Sequence, residues 1–178
     1  MDELLLELSA RYCEPHRAYH NLRHIAEMLL QGRAFPLSAE QVMAVWFHDA
    51  IYDPKSRTNE ADSAELARRA LTRLGWNSAR IELVAAIVLD SASHEPKRPE
   101  SEPVLDLDLA VLAGKPDAYA SYVAAVRCEY AFVAEPDWRK GRREWAQRML
   151  ARERLFLTEW GRGLEPAARR NLAGESTA

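Results

Sequence analysis

The sequence predicts a single all-helical domain of the all-α class with roughly seven to nine helices, and three observations carry that expectation. Apolar residues recur at helical spacing in almost every segment, convincing period-two alternation is missing, and no internal repeat or long linker divides the chain. With 178 residues, 48% of them hydrophobic and 29% charged, the chain can bury one core without disulfides or metal staples. The expected core spans about residues 10–160, followed by a flexible C-terminal tail.

The first helix is read from DELLLELSARY (2–12), where Leu4, Leu5, Leu8 and Tyr12 form one stripe. A second is expected from Tyr19 to Leu30, with Leu22, Ile25, Ala26 and Leu29 at helical spacing and Gly32 and Pro36 ending it. In PLSAEQVMAVWFHDAI (36–51), Ser38 stands three residues before Gln41, a capping-box pattern that predicts a helix running into His48. Asn59 to Leu74 is amphipathic and stopped by Gly75, and Ser78 to Ser91 is a more apolar helix. After the polar loop SHEPKRPESEP come VLDLDLAVLAG (104–114), Asp117 to Val133, Trp138 to Trp160, and a tail from Pro166.

A formal net charge of -3 offers no basic coat for a nucleic acid or an anionic membrane, so a small metabolite is the expected partner. Cys13 and Cys128 lie far apart without disulfide or C-x-x-C spacing, which predicts two buried thiols in a reducing compartment. No stretch approaches the roughly 20 apolar residues of a membrane span, and the acidic MDELLLELSARY lacks the basic start of a signal peptide, so a cytoplasmic location is expected. Trp138, Trp145 and Trp160 are assigned to the core, with a homodimer interface as the alternative.

Three of the five histidines stand in short apolar runs. His20 and His24, four apart on one expected helix, would project from the same face, a geometry that a metal or a phosphate can use. His48 and Asp49 follow the apolar VMAVWF, where an ionisable pair costs desolvation energy unless a divalent cation compensates. Asp106 and Asp108, two apart in a leucine-rich helix, face different ways, so at least one carboxylate turns inward and needs a partner. Imidazoles suit zinc, iron, cobalt, nickel or copper, and carboxylates suit magnesium and manganese as well. His94 reads as a solvent-exposed loop residue, with a second metal as its alternative, and His16 as structural.

The order His24, His48-Asp49, then an Asp before Leu resembles the H…HD…D pattern of the HD-domain superfamily of metal-dependent phosphohydrolases. YHNLRHIAEM is similar to the Y-H-N-x-x-H-A motif of cyclic-nucleotide phosphodiesterases within that superfamily. From about Tyr19 to Phe156 the chain also resembles a bacterial family of predicted HD-type phosphohydrolases, through YHNLRHI, WFHDAIYDP, NEADSAELA, LDLDLAVL and VRCEY in the same order. The resemblance implies a divalent ion (Mn, Mg, Fe, Zn, Co or Ni) held by His24, His48, Asp49 and Asp108, with Asp106 as fallback. It further implies His20 as general acid, beside a water-activating role for Asp49. Additional histidines of the cyclic-nucleotide enzymes are replaced here by Tyr52 and Asp53, so that specificity is not carried over. The expected substrate is a nucleotide or related phosphate ester, met by Arg17, Asn21, Lys55 and Arg127, while Glu60, Asp62 and His94 are candidates for a second metal or its water shell. The competing readings are a metal-binding regulatory or ligand-binding module without turnover and a di-iron oxygenase.

Overall fold

A computed structural model describes residues 1–177, and these contain helices and turns but no strand. Ten α-helices follow one another: α1 (Asp2–Tyr12), α2 (Leu22–Gln31), α3 (Ala39–Phe47), α4 (Asn59–Arg73), α5 (Ser78–Ser91), α6 (Glu102–Leu109), α7 (Pro116–Glu129), α8 (Glu135–Leu150), α9 (Glu159–Arg162) and α10 (Glu165–Thr177). The chain forms two compact units, Met1–Leu105 and the residues from Asp106 onward. No helix among the described residues is long and apolar enough to cross a membrane.

In the first unit the apolar stripes of α1 to α5 meet, burying Leu8, Tyr12, Ile25, Met28, Phe47, Leu71 and Ile87 almost completely. The capping box that opens α3 is present: the Ser38 hydroxyl accepts from the Gln41 N–H, and the Gln41 side chain accepts from the Ser38 N–H. Helix α4 ends before Gly75, whose φ of 74° is the left-handed geometry that glycine adopts without strain. Near α1 the Tyr12 hydroxyl donates to the Trp46 carbonyl at 3.0 Å, which joins α1 to α3.

In the second unit Leu109, Leu112, Tyr119, Ala146, Met149, Phe156, Ala168 and Leu172 build the core. The expected flexible tail is instead helix α10, which contributes fully buried Ala168 and Leu172. The expected long segment from Trp138 to Trp160 is two helices, because the chain turns after Leu150 and restarts at Thr158, whose hydroxyl caps α9 by accepting from the Gly161 N–H. Both cysteines are exposed rather than buried. Cys13 caps the end of α1, and Cys128 sits two residues beyond Val126, off the buried side of α7. Trp138, Trp145 and Trp160 are half-buried. The first two lie along the Arg142 guanidinium, at 5.8 and 4.3 Å from ring centre to carbon, and Trp145 also packs against the core of the second unit.

Candidate metal centre

Helix α2 begins later than the periodicity suggested, because Asn21 is its N-cap: the side-chain oxygen accepts from the Arg23 N–H at 2.9 Å while its amide donates to the Ala18 carbonyl. His24 is therefore on the helix and His20 is not. The two histidines meet all the same, because the chain turns sharply through Tyr19–Asn21 and sets the His20 ring 6.2 Å from that of His24. Tyr52 stacks on His20 at 4.4 Å, and Tyr19 meets it edge-on at 5.0 Å. His20 is half-buried between these rings.

His24 is 4% exposed and His48, the C-cap of α3, is 1% exposed, whereas the Asp49 side chain keeps 14% exposure and so meets solvent. One ligand atom from each of these three residues lies within 4.8 Å of the other two, and among the described residues this is the single such group of three. The two Nε2 atoms are 3.3 Å apart, and His48 Nε2 is 3.1 Å from Asp49 Oδ2. On the other side of its ring, His48 Nδ1 donates to the Val45 carbonyl at 2.9 Å. A carbonyl only accepts, so this bond puts the proton of a neutral imidazole on Nδ1 and leaves the Nε2 lone pair facing His24 and Asp49.

The donor set fits a metal ion. Metal–nitrogen and metal–oxygen bonds of roughly 2.0–2.2 Å hold neighbouring ligand atoms roughly 3.0–3.5 Å apart on one ion, which the 3.1 and 3.3 Å separations match. An imidazole bound through one nitrogen ordinarily donates from the other to a carbonyl, as His48 does.

The segment after His48 is braced from α4. The Ser63 hydroxyl accepts from the Ile51 N–H at 3.0 Å and donates to the Ile51 carbonyl, while the Asn59 side chain accepts from the Asp53 N–H and donates to its carbonyl. Both residues are buried polar groups, and neither was singled out from the sequence. The available signal was their i, i+4 spacing on the same side of α4 as Leu66, Ala67 and Ala70.

The remaining expected residues are placed as follows. Glu60 is half-buried, and exposed Asp62 accepts from the Thr58 hydroxyl at the start of α4; neither belongs to the three-residue group, nor does His94, held at φ 51° in the turn after α5. Lys55 is exposed in the turn after Asp53. Arg17 is buried with its guanidinium on backbone carbonyls and Glu14, and Asn21 caps α2. In the second unit, Arg127 binds Glu135 and the Tyr130 and Val133 carbonyls, so it closes the end of α7. Asp106 is fully buried there and accepts from the Leu157 and Thr158 N–H groups and the Thr158 hydroxyl. That set of bonds makes it the anchor for the start of α9 rather than a ligand. A side chain at Gly161 would strike Asp106 Oδ2 at 2.2 Å, so the glycine is required. Asp108 is half-buried in the same unit, where its charge acts on Tyr122.

Comparison with family models, with curated proteins and with solved structures gives no match to this chain.

Proposed function

We propose that His24, His48 and Asp49 hold a divalent metal ion and that the protein is a metal-dependent phosphohydrolase of the HD-domain type, cleaving a phosphate ester of a nucleotide or a related small metabolite. The observation that carries the metal is the convergence of two imidazole nitrogens and a carboxylate oxygen on one point, with the His48 tautomer set by Val45. The hydrolase reading is supported by the chemistry at its edge: a half-buried imidazole, His20, held beside His24 between two tyrosine rings.

A bound divalent ion would supply Lewis acidity toward a phosphoryl oxygen and lower the pKa of water. The chain's own groups then divide the proton transfers. Asp49 has two carboxylate oxygens, so one can face the ion while the other accepts the proton of the attacking water. As water oxygen bonds to phosphorus and the ester P–O bond breaks, protonated His20 gives its proton to the departing alkoxide. Exposed Lys55, in the turn that follows the braced segment, is proposed to attract the anionic substrate. Asp108 enters this reading only through the sequence resemblance, as a further ligand.

The test is phosphate release from a panel of nucleotides and simple phosphate esters, with manganese restored after chelation. Metal-dependent turnover that Asp49→Ala abolishes, and that His20→Ala strongly reduces while manganese still binds, supports the assignment. Stoichiometric manganese without turnover on any substrate points to a metal-binding regulatory module. No metal uptake at all sinks the central claim.

A further inference from the structure

We infer that Arg17 is the positioning residue of this centre, a buried clamp that fixes the general acid and a metal ligand relative to each other; the inference rests on the metal-centre reading above. Arg17 was expected to meet a substrate phosphate, yet its side chain has no exposed surface. Its guanidinium spans the two segments that build the site: one nitrogen donates to the His20 carbonyl at 3.0 Å and to the Asp49 carbonyl at 2.7 Å, and the other to the Ala50 carbonyl at 3.3 Å. Nε donates to Glu14 at 3.0 Å, which aims the fork. The same guanidinium carbon lies 5.1 Å from the Tyr12 ring centre and 5.4 Å from that of Tyr52, the ring stacked on His20.

The physical case for positioning is the match between what the site needs and what only this side chain supplies. His20 sits on a sharp turn before α2, and Asp49 on the irregular segment after α3; neither is held by helix hydrogen bonds of its own element. Their carbonyls converge on one planar, always-charged fork, which reaches both at once. A buried cation is costly unless acceptors surround it, so a site with no need to tie these segments together would be filled more cheaply by apolar atoms. Lysine at this position would keep the charge and lose the fork. The second unit holds a comparison built in the same way: Arg169 pairs with Glu165 and donates to the Leu150, Arg152 and Glu153 carbonyls.

The experiment is a cobalt(II) titration of chelated protein, followed by calorimetry and by the visible absorption that reports ligand geometry, on wild type, Arg17→Lys and Arg169→Lys, with urea unfolding of each. The expected result is that Arg17→Lys, still folded, binds cobalt about 10- to 100-fold more weakly, the usual cost of losing a group that orients a ligand, and shifts the absorption band. Arg169→Lys loses stability but keeps the wild-type affinity and band. Should Arg17→Lys fail to fold, Glu14→Ala replaces it: this removes the half-buried acceptor that aims the fork and should still weaken cobalt binding. Wild-type affinity and an unaltered band in a folded Arg17→Lys, or wild-type affinity in the substituting Glu14→Ala, would overturn the inference while leaving the metal centre standing. No cobalt uptake by the wild type itself overturns both.

Discussion

In the first unit two imidazole nitrogens and a carboxylate oxygen are turned toward one another, with the tautomer of His48 fixed from behind by Val45. In the second unit a largely buried ion pair is answered in place. Arg142 donates from two nitrogens to Glu175 at 2.6 and 2.9 Å, lies against Tyr122 and Trp145 at 5.5 and 4.3 Å, and Glu175 also accepts from the Tyr119 hydroxyl. The difference separates two uses of the same expensive material. A network that closes on itself stabilises one packing, whereas one that gathers ligand atoms around a point can take a cation from outside.

The largest expected effect comes from breaking the closed network. Arg142 and Glu175 are each 12% exposed, and removing one partner strands the other. Glu175→Ala should cost about 3 kcal/mol in urea unfolding, with Arg142→Met in the same background restoring part of it. A loss below about 1 kcal/mol would mean that the pair behaves as a surface ion pair.

The open network should show the complementary response. At a metal concentration of about 100 Kd the wild type should gain about 2.7 kcal/mol, the stabilisation expected of an ion that binds only the folded chain. Asp49→Ala should lose that gain in a thermal-shift titration with manganese while its metal-free stability changes little. An equal shift in Asp49→Ala would place the metal elsewhere.

The helices were legible because their stripes are long and periodic, and the Ser38–Gln41 capping box and the Gly75 stop mark boundaries by local chemistry alone. His48-Asp49 was legible because an ionisable pair after six apolar residues has no cheap explanation. What failed to read was chain direction over one turn. Asn21 is a good helix N-cap, yet it stands inside an apolar period that suggests a longer helix, so His20 was assigned to the wrong element while remaining near His24. Carboxylates and cations in the sequence do not reveal whether they meet a backbone or a ligand. Asp106 holds the start of α9, and Arg17 and Arg127 hold carbonyls, because side-chain hydrogen bonds to main-chain groups leave no sequence pattern.

Alkaline pH sharpens the comparison from the second unit. Burial, and then the hydrogen bond to Glu175, hold the Tyr119 hydroxyl well above the ordinary tyrosine range, and burial raises Tyr122 as well. A raised folded value means that the stabilising contribution is complete below the unfolded value and is lost as pH rises. Above about pH 10, where unfolded tyrosine ionises, stability should fall by ~1.4 kcal/mol per pH unit for each such tyrosine. Tyr119→Phe should flatten that slope by one tyrosine's share in urea titrations at increasing pH. An unchanged slope would show that Tyr119 ionises equally in both states.

The smallest effect lies at the acid end of the first unit. Glu40 accepts from Arg80, whose guanidinium lies 4.0 Å from the Trp76 ring centre; that hydrogen bond, helped by Glu40's own backbone N–H, holds the carboxyl below its usual value of 4.5. With the folded value depressed, the contribution is present above the unfolded value and disappears as pH falls through the folded one. Arg80 is 42% exposed, so water screens the pair and Glu40→Gln should cost only about 0.5 kcal/mol at pH 7. The gap between wild type and variant should close as the pH is lowered below 4.5. A gap that persists unchanged to low pH would assign the loss to packing of the side chain rather than to its charge.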